Sequence, residues 1–276
     1  MPPGTTTAFA PAKVNLALHV TGQRADGYHL LDSLVMFADV GDTITLRDAP
    51  EMSLTVTGPR ATGVPTDARN LCWKAAERFG AAVAITLDKH LPAAAGIGGG
   101  SSDAAATLRA MADLYNRSFP TENLATLGAD VPVCTVAHAA RMSGIGDHVL
   151  PLTMAPLHAV LVNPGVDVPT PQVFKTLTTK ANPPMTDWPD HGGAPAAIDW
   201  LQTQRNDLQA PAIALQPVIA DTLAALAATT GNRLTRMSGS GATCFALYDD
   251  RTTAEAAATQ LQSLHPDWWT TACTLR

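Results

Sequence analysis

The sequence predicts a two-domain protein of mixed α and β structure. Three observations carry that expectation. Its 276 residues suit one large domain or two ordinary ones. Short segments of period two alternate with helical ones along the chain. A break at Leu150-Pro151-Leu152 separates residues 1–152, which hold a glycine-rich loop, from residues 153–276, where strand and helix patterns begin again.

From the start of the chain, residues 12–20 alternate. Val14, Leu16, Leu18 and Val20 point one way and Lys13, Asn15, Ala17 and His19 the other, the pattern of a half-buried strand. A polar loop follows and ends at Tyr28-His29. Residues 42–46 and 53–56 read as short strands, and residues 70–79 as a helix stopped by Gly80. Residues 82–87 form a further strand. It leads into Leu91-Pro92-Ala93-Ala94-Ala95-Gly96-Ile97-Gly98-Gly99-Gly100-Ser101-Ser102-Asp103 and then an alanine-rich helix over 104–115. Residues 127–132 look like a turn. Beyond the break come a strand at 158–162, a Pro- and Gly-rich surface loop at 178–197 and a helix over 217–230. A glycine turn at 237–243 then enters a strand at 244–248, and a helix over 254–264 follows.

Bulk composition narrows the function. With 46% hydrophobic and 15% charged residues the chain is globular, and its net charge of −6 without a Lys/Arg cluster argues against nucleic acid or an anionic membrane as partner. Cys72, Cys134, Cys244 and Cys273 are scattered, so reduced thiols rather than a disulfide or zinc framework are expected. No basic-then-apolar leader is visible, and no run approaches the ~18 apolar residues of a membrane span. A cytoplasmic protein is the expectation.

Strand, glycine loop, helix is a phosphate-binding order. Glycines admit close backbone approach, and the free N–H groups at the helix start face the same point as the positive end of its dipole. Ser101 and Ser102 add hydroxyls, and Asp103 is placed to cap the helix or hold a cation. A G-x-x-x-x-G-K-[ST] loop is excluded, because no lysine follows Gly100. A dinucleotide fingerprint matches only at Gly96 and Gly98, with Ser101 at its last position, which leaves an oxidoreductase as a minor alternative.

On residues 92–106 the sequence resembles the GHMP small-molecule kinases, whose loop has the form P-x-x-x-G-[LI]-G-S/G-S-S. Pro11-Ala12-Lys13-Val14-Asn15-Leu16 and Met237-Ser238-Gly239-Ser240-Gly241-Ala242 match the family's other two motifs, in the same order. Five segments point to the branch that acts on a cytidine diphosphate sugar alcohol: Ala10 through Leu16, Asp26-Gly27-Tyr28-His29, Gly96 through Asp103, Leu127-Gly128-Ala129-Asp130-Val131-Pro132 and Arg205-Asn206-Asp207-Leu208. The run from Gly98 through Ala105 and the Asp-Gly-Tyr-His tetrad are specific to that branch. Three features depart from that pattern: a short stretch between Asn123 and Gly128, Val133 where an aromatic is common, and Gly146-Asp147 in place of Gly-Glu.

The resemblance implies an α+β fold, with an N-terminal domain like the second domain of ribosomal protein S5 and a ferredoxin-like C-terminal domain. It implies ATP-dependent phosphorylation of an alcohol, with residues 1–152 binding ATP and 153–276 binding the small-molecule substrate. Asp130 would take the acceptor proton, with Lys13 beside it. Asn70, Pro92, Gly96, Gly98, Gly99, Gly100, Ser101, Ser102 and Asp103 would bind ATP, with Mg²⁺ near Ser102 or Asp103 and no dedicated metal cage. Asn70 serves equally well as a helix cap. Tyr28 and Phe174 would sandwich a cytosine ring while His29 bonds its polar edge. Asn15 and Thr170 would hold the sugar alcohol or diphosphate, and Gly239, Ser240 and Gly241 would approach the substrate with backbone. Other readings are a GHMP kinase for homoserine, mevalonate or a sugar, and a GHMP-like binding protein without turnover. A monomer or homodimer is expected.

Overall fold

The computed structural model describes residues 4–188 and 192–276. Along the chain run β1 (Thr5–Gln23), β2 (His29–Asp48), β3 (Ser53–Thr57), α1 (Leu71–Phe79), β4 (Val83–Asp88) and α2 (Gly99–Tyr115). A single 3₁₀ turn (Leu124–Thr126), α3 (Val131–Val136), β5 (Ala140–Gly144), β6 (His148–Pro151), β7 (Leu157–Asn163) and α4 (Thr170–Lys175) follow. The rest is α5 (Gly193–Gln202), α6 (Gln209–Leu215), α7 (Val218–Ala227), β8 (Leu234–Met237), β9 (Cys244–Tyr248), α8 (Arg251–Leu264) and β10 (Trp269–Leu275). The chain packs into two compact units that interleave in sequence: residues 1–13, 40–93 and 98–137, and residues 14–39, 94–97 and 138–276.

In the first unit β3 lies parallel to β4, with α1 as the crossover that parallel strands require. β4 in turn pairs antiparallel with the end of β2, from Thr43↔Asp88 to Asp48↔Val83. Asn70 caps α1 by accepting from the Cys72 N–H, and Gly80 ends it at φ 82°, where glycine carries no Cβ penalty. Helix α2 buries Ala104, Ala106 and Ala110, small enough to lie flat, with its own Leu108 and Met111, against the core of Ile44, Leu46, Phe79, Ile85 and Leu87.

The second unit contains a β-α-β-β-α-β series, β7-α7-β8-β9-α8-β10. Its strands stand in the order β10-β7-β9-β8, all neighbours antiparallel, which is the ferredoxin-like arrangement. Val160, Val162, Ile219, Leu226, Cys244, Ala246, Tyr248 and Leu261 fill its core. The buried Tyr248 hydroxyl meets that of Thr229 at 2.7 Å, so the ring is buried without an orphaned polar atom. The start of β2 pairs with β5, and Leu275 of β10 pairs with Ala38 of β2.

Several sequence expectations change. Residues 12–20 are buried on both faces rather than one, because the polar face finds partners of its own inside the protein. Residues 42–46 are the end of a much longer strand. The alanine helix begins at Gly99 instead of 104. The turn at 127–132 runs into α3, and α5 begins inside the expected loop at 178–197, of which residues 189–191 lie outside the described residues. All four cysteines are buried and free. No helix among the described residues is long and apolar enough to cross a membrane.

Candidate active site

Lys13 and Asp130 meet in the first unit. Lys13 is buried in β1, and Asp130 stands immediately before α3, whose first turn contains Pro132. A carboxylate in that position commonly caps its own helix, but Asp130 makes no such bond. Its Oδ2 lies 2.9 Å from Lys13 Nζ, with the Asp130 side chain 32% exposed and that of Lys13 4%. One side of the acid rests on a buried ammonium and the other remains accessible.

The glycine loop adjoins this pair. Gly98 precedes α2 at φ 64°, and a Cβ there would lie 3.1 Å from Lys13 Cε and 3.7 Å from Asp130 Oδ2. The helix has no side-chain cap and no acidic residue in its first turn, so its leading N–H groups stay available to an anion. Gly100 differs from Gly98. Its φ is not positive, and a Cβ would meet only Leu71 Cδ1, at an ordinary 3.5 Å. Nothing in the protein demands glycine there, whereas a ligand lying on the backbone would.

Ser101 is half-buried beside Gly128, and Ser102 is fully buried, its Oγ without a partner among the described residues. Asp103 is placed differently from expectation. It is buried, and Oδ2 pairs with Lys89 Nζ at 2.9 Å, so burial ties it into the protein instead of presenting it to a cation. Lys89 also pairs with Asp42, which accepts from the backbone N–H groups of His90 (2.6 Å) and Leu91 (2.9 Å). Burial raises the Asp103 carboxyl, which Lys89 only partly offsets while Asp42 adds to the rise, and the result is about 7. Burial opposes the charge of Lys89, yet the two carboxylates more than reverse this and hold its pKa above the ordinary lysine value. Asn70, besides capping α1, donates to the Pro65 carbonyl at 2.8 Å. Pro92 stands half-buried in the loop between β4 and α2.

The second unit gathers the remaining candidates into two groups. Asn15 donates from Nδ2 to Ser33 Oγ (2.8 Å), and its backbone N–H donates to Ser238 Oγ (3.0 Å). Ser238 in turn donates to the Gly96 carbonyl at 3.0 Å. Gly96, at φ 72°, packs so closely that a Cβ would come within 2.6 Å of the carbonyl oxygens of Ser238 and Gly241. A Cβ on Gly239 would lie 2.8 Å from the Gly96 carbonyl and 3.2 Å from Asn15 Oδ1. The hydroxyls of Thr170 and Ser240 sit 2.7 Å apart.

The second group is aromatic. Thr170 and Phe174 are four residues apart on α4 and so share a face. Phe174 stacks on His29 with centroids 4.8 Å apart and planes at 23°, while Tyr28 is 62% exposed. Phe174 thus lies against the imidazole on one face, with Tyr28 next to His29 in the chain. Burial and then the charge of Lys180 lower the His29 pKa, and its Nε2 is buried with no partner among the described residues. A neutral imidazole with an unused ring nitrogen suits the edge of a nucleobase.

Sequence reading missed Asp42, Lys89, Ser33 and Ser238. Lys89 looks like any lysine at a strand end, and only its burial distinguishes it. Ser238 stood inside a quoted motif, but motif spacing does not reveal that its single hydroxyl serves two backbone segments.

Comparison with known proteins gives a consistent picture. The model for the GHMP kinases N terminal domain matches residues 69–150, and that for the GHMP kinases C terminal matches residues 190–267. The chain is 58% identical over 271 residues to 4-diphosphocytidyl-2-C-methyl-D-erythritol kinase of Dinoroseobacter shibae, covering 97% of this chain and 94% of that one. It is 55% identical over 269 residues to the enzyme of the same name from a strain of Cereibacter sphaeroides, covering 96% and 97%. A crystal structure of 4-(cytidine 5'-diphospho)-2C-methyl-D-erythritol kinase superposes with a TM-score of 0.81 at 34% identity, over 98% of each chain. Homoserine kinase from Cytophaga hutchinsonii shares the fold at a TM-score of 0.69 and 17% identity, over 100% of this chain and 96% of that one.

Proposed function

The chain belongs to the GHMP kinases, a family of ATP-dependent small-molecule kinases, and from that premise we propose that it phosphorylates the 2-hydroxyl of 4-diphosphocytidyl-2-C-methyl-D-erythritol, a step of the non-mevalonate route to isoprenoid precursors. The observation that carries the chemistry is the Lys13–Asp130 pair directly beside the uncapped start of α2. Phosphoryl transfer asks for in-line positioning, neutralisation of the γ-phosphate and a group to receive the acceptor proton. The Asp130 carboxylate orients the hydroxyl through the oxygen that Lys13 does not hold and takes its proton late, as the O–P bond forms and the bond to ADP breaks. Lys13 holds that carboxylate in one position.

Gly96, Gly98, Gly99, Gly100, Ser101 and Ser102 cradle the ATP phosphates, with Asn70 and Pro92 flanking the nucleotide. Asp103 supports the helix from below. For Mg²⁺ the residues fit only as secondary partners: among the described residues no group of three or more His, Cys, Asp or Glu is placed to hold a metal, and Asp42 and Asp103 are engaged by Lys89. Mg²⁺ bound to the nucleotide phosphates would neutralise their charge, and Ser102 Oγ, without a partner among the described residues, would be a protein oxygen to hold it.

His29 and Phe174 receive the cytosine, with the exposed Tyr28 free to close over it. Asn15, Thr170, Gly239, Ser240 and Gly241 hold the methylerythritol diphosphate. This assigns residues 1–152 chiefly to ATP and 153–276 to substrate, with Asn15, Tyr28 and His29 as contributions from the N-terminal part. A cytoplasmic enzyme, monomeric or dimeric, is part of the same proposal.

The test is ADP release from Mg-ATP with the cytidine compound, homoserine, mevalonate or galactose, the product being mapped by ³¹P–¹³C coupling. Turnover with the cytidine compound alone, phosphorylated at the 2-hydroxyl and collapsing in Asp130→Asn, is the expected result. Turnover with a different alcohol would overturn the substrate assignment and leave the kinase chemistry standing.

A further inference from the structure

The Arg205-Asn206-Asp207-Leu208 segment has no role in the chemistry described so far. It runs beside β1, and its side chains are spent on holding backbone. Leu18 and Asn206 form a parallel bridge, in which the Leu18 N–H donates to the Arg205 carbonyl (2.9 Å) and the Asp207 N–H to the Leu18 carbonyl (2.8 Å). Asp207 Oδ2 accepts from the Val20 N–H at 2.7 Å, and Oδ1 accepts from Arg205 Nε at 2.6 Å. The segment is therefore fixed to the strand that carries Asn15.

Asn206 uses this fixed base to grip something else. Its side chain is buried, and Nδ2 donates to the carbonyls of Met237 (2.7 Å) and Gly239 (2.8 Å) while Oδ1 accepts from the Leu208 N–H (2.9 Å). Two carbonyls on one side and an N–H on the other leave a single sensible orientation for the amide. The two gripped carbonyls flank Ser238. The Ser238 hydroxyl joins the Asn15 N–H to the Gly96 carbonyl, so it links the acceptor-side strand to the first glycine of the phosphate loop. Arg236 anchors β8, the strand that enters this turn. It donates to the carbonyls of Leu16, Leu201 and Gln204, and burial lowers its pKa to about 10, which leaves it charged at neutral pH.

We propose that Asn206 is a positioning residue for phosphoryl transfer. By clamping the carbonyls of Met237 and Gly239 it sets Ser238, and through Ser238 it fixes the spacing between Gly96 and Asn15. The inference rests on the kinase reading above for its kinetic consequence, but not for the clamp itself. In-line transfer is sensitive to such spacing, since a misplacement of about 1 Å far from the reacting atoms costs on the order of 10²-fold. Asparagine is specific to the task. Aspartate would keep the bond from Leu208 but set a carboxylate against two carbonyls, and alanine would release both.

The test is a double-mutant cycle of Asn206→Ala and Ser238→Ala, with Asn206→Asp alongside, in the full-length protein. It reads kcat and both KM values for the alcohol that the wild type phosphorylates, together with thermal unfolding. Expected are a kcat loss of roughly 10–100-fold in Asn206→Asp and Asn206→Ala, KM changes of only a few-fold, and strong non-additivity between Asn206→Ala and Ser238→Ala. A clamp that merely stabilises the fold would lower the unfolding temperature and leave kcat per folded molecule unchanged, which overturns the proposal. Additive losses overturn it too, because Asn206 would then not act through Ser238. Should the wild type phosphorylate none of the alcohols, the functional reading fails on its own. Amide exchange then decides the clamp: Asn206→Asp must speed exchange across residues 236–243 and at Asn15 while β7 stays protected, and unchanged exchange would sink it.

Discussion

The two glycine segments of this protein are held in place by opposite means. The loop ahead of α2 sits among ions, with Lys13 against Asp130 on one side and Lys89 between Asp42 and Asp103 on the other. The turn after β8 is held by neutral amides and hydroxyls, from Asn206, Ser238, Asn15 and Thr170, with Arg236 spending its charge on backbone carbonyls alone. The difference fits the roles proposed above for the two segments. A polyanion and a moving proton need fixed charges nearby, and buried charges are tolerable only when paired. A turn that sets spacing needs geometry that survives changes in salt and pH, which neutral hydrogen bonds provide.

Breaking the ionic side gives the largest expected effect. Asp130→Asn keeps shape and removes the proton acceptor, so kcat should fall on the order of 10²–10⁴-fold with folding intact. A loss below tenfold would mean that the pair is structural. Lys89→Met leaves two buried carboxylates without their cation and should destabilise the fold by about 3–5 kcal/mol in urea unfolding. A cost as small as that of an exposed ion pair would remove the contrast between the two segments.

Gly100→Ala sharpens the comparison. The protein itself leaves room for that methyl group, and alanine is the better helix former by roughly 0.5–1 kcal/mol, so thermal stability should hold or rise. The affinity for ATP should drop by the equivalent of one charge-assisted hydrogen bond, about 1.5–3 kcal/mol. Unchanged KM for ATP would place the phosphates elsewhere.

A further effect is one of pH. The Asp103 carboxyl lies at about 7 when folded, above its ordinary 3.8, so the folded state holds the proton more tightly. The stability from that proton is complete below about pH 4 and is lost as pH rises through 7. Asp103→Asn carries no such charge and still accepts from Lys89. Its advantage over wild type should therefore grow between pH 4 and 7 and level off above, as read from unfolding midpoints. A constant difference across that range would show that Lys89 keeps Asp103 ionised throughout.

Much of this was legible in the chain. The Gly96–Asp103 loop, the alternation of residues 12–20 and the cap at Asn70 are local patterns, governed by backbone sterics and by hydrogen bonds between near neighbours in sequence. The loop, with the motifs at residues 11–16 and 237–242, carried the resemblance to the family and to its reaction class before any coordinates. Long-range partners were not legible. Nothing near Lys89 announces Asp42, which lies 47 residues away, and nothing near Ser238 announces Asn15, 223 residues away. The stacking of Phe174 on His29 and the pairing of Asp130 with Lys13 likewise join residues far apart in the chain. Sequence alone indicated the strand, glycine loop and helix at residues 82–115 and the class of chemistry that goes with them, because those follow from short-range propensity and spacing. The tertiary fold decided which charges are buried, which are paired and which stay open, because desolvation depends on every segment packed around a group.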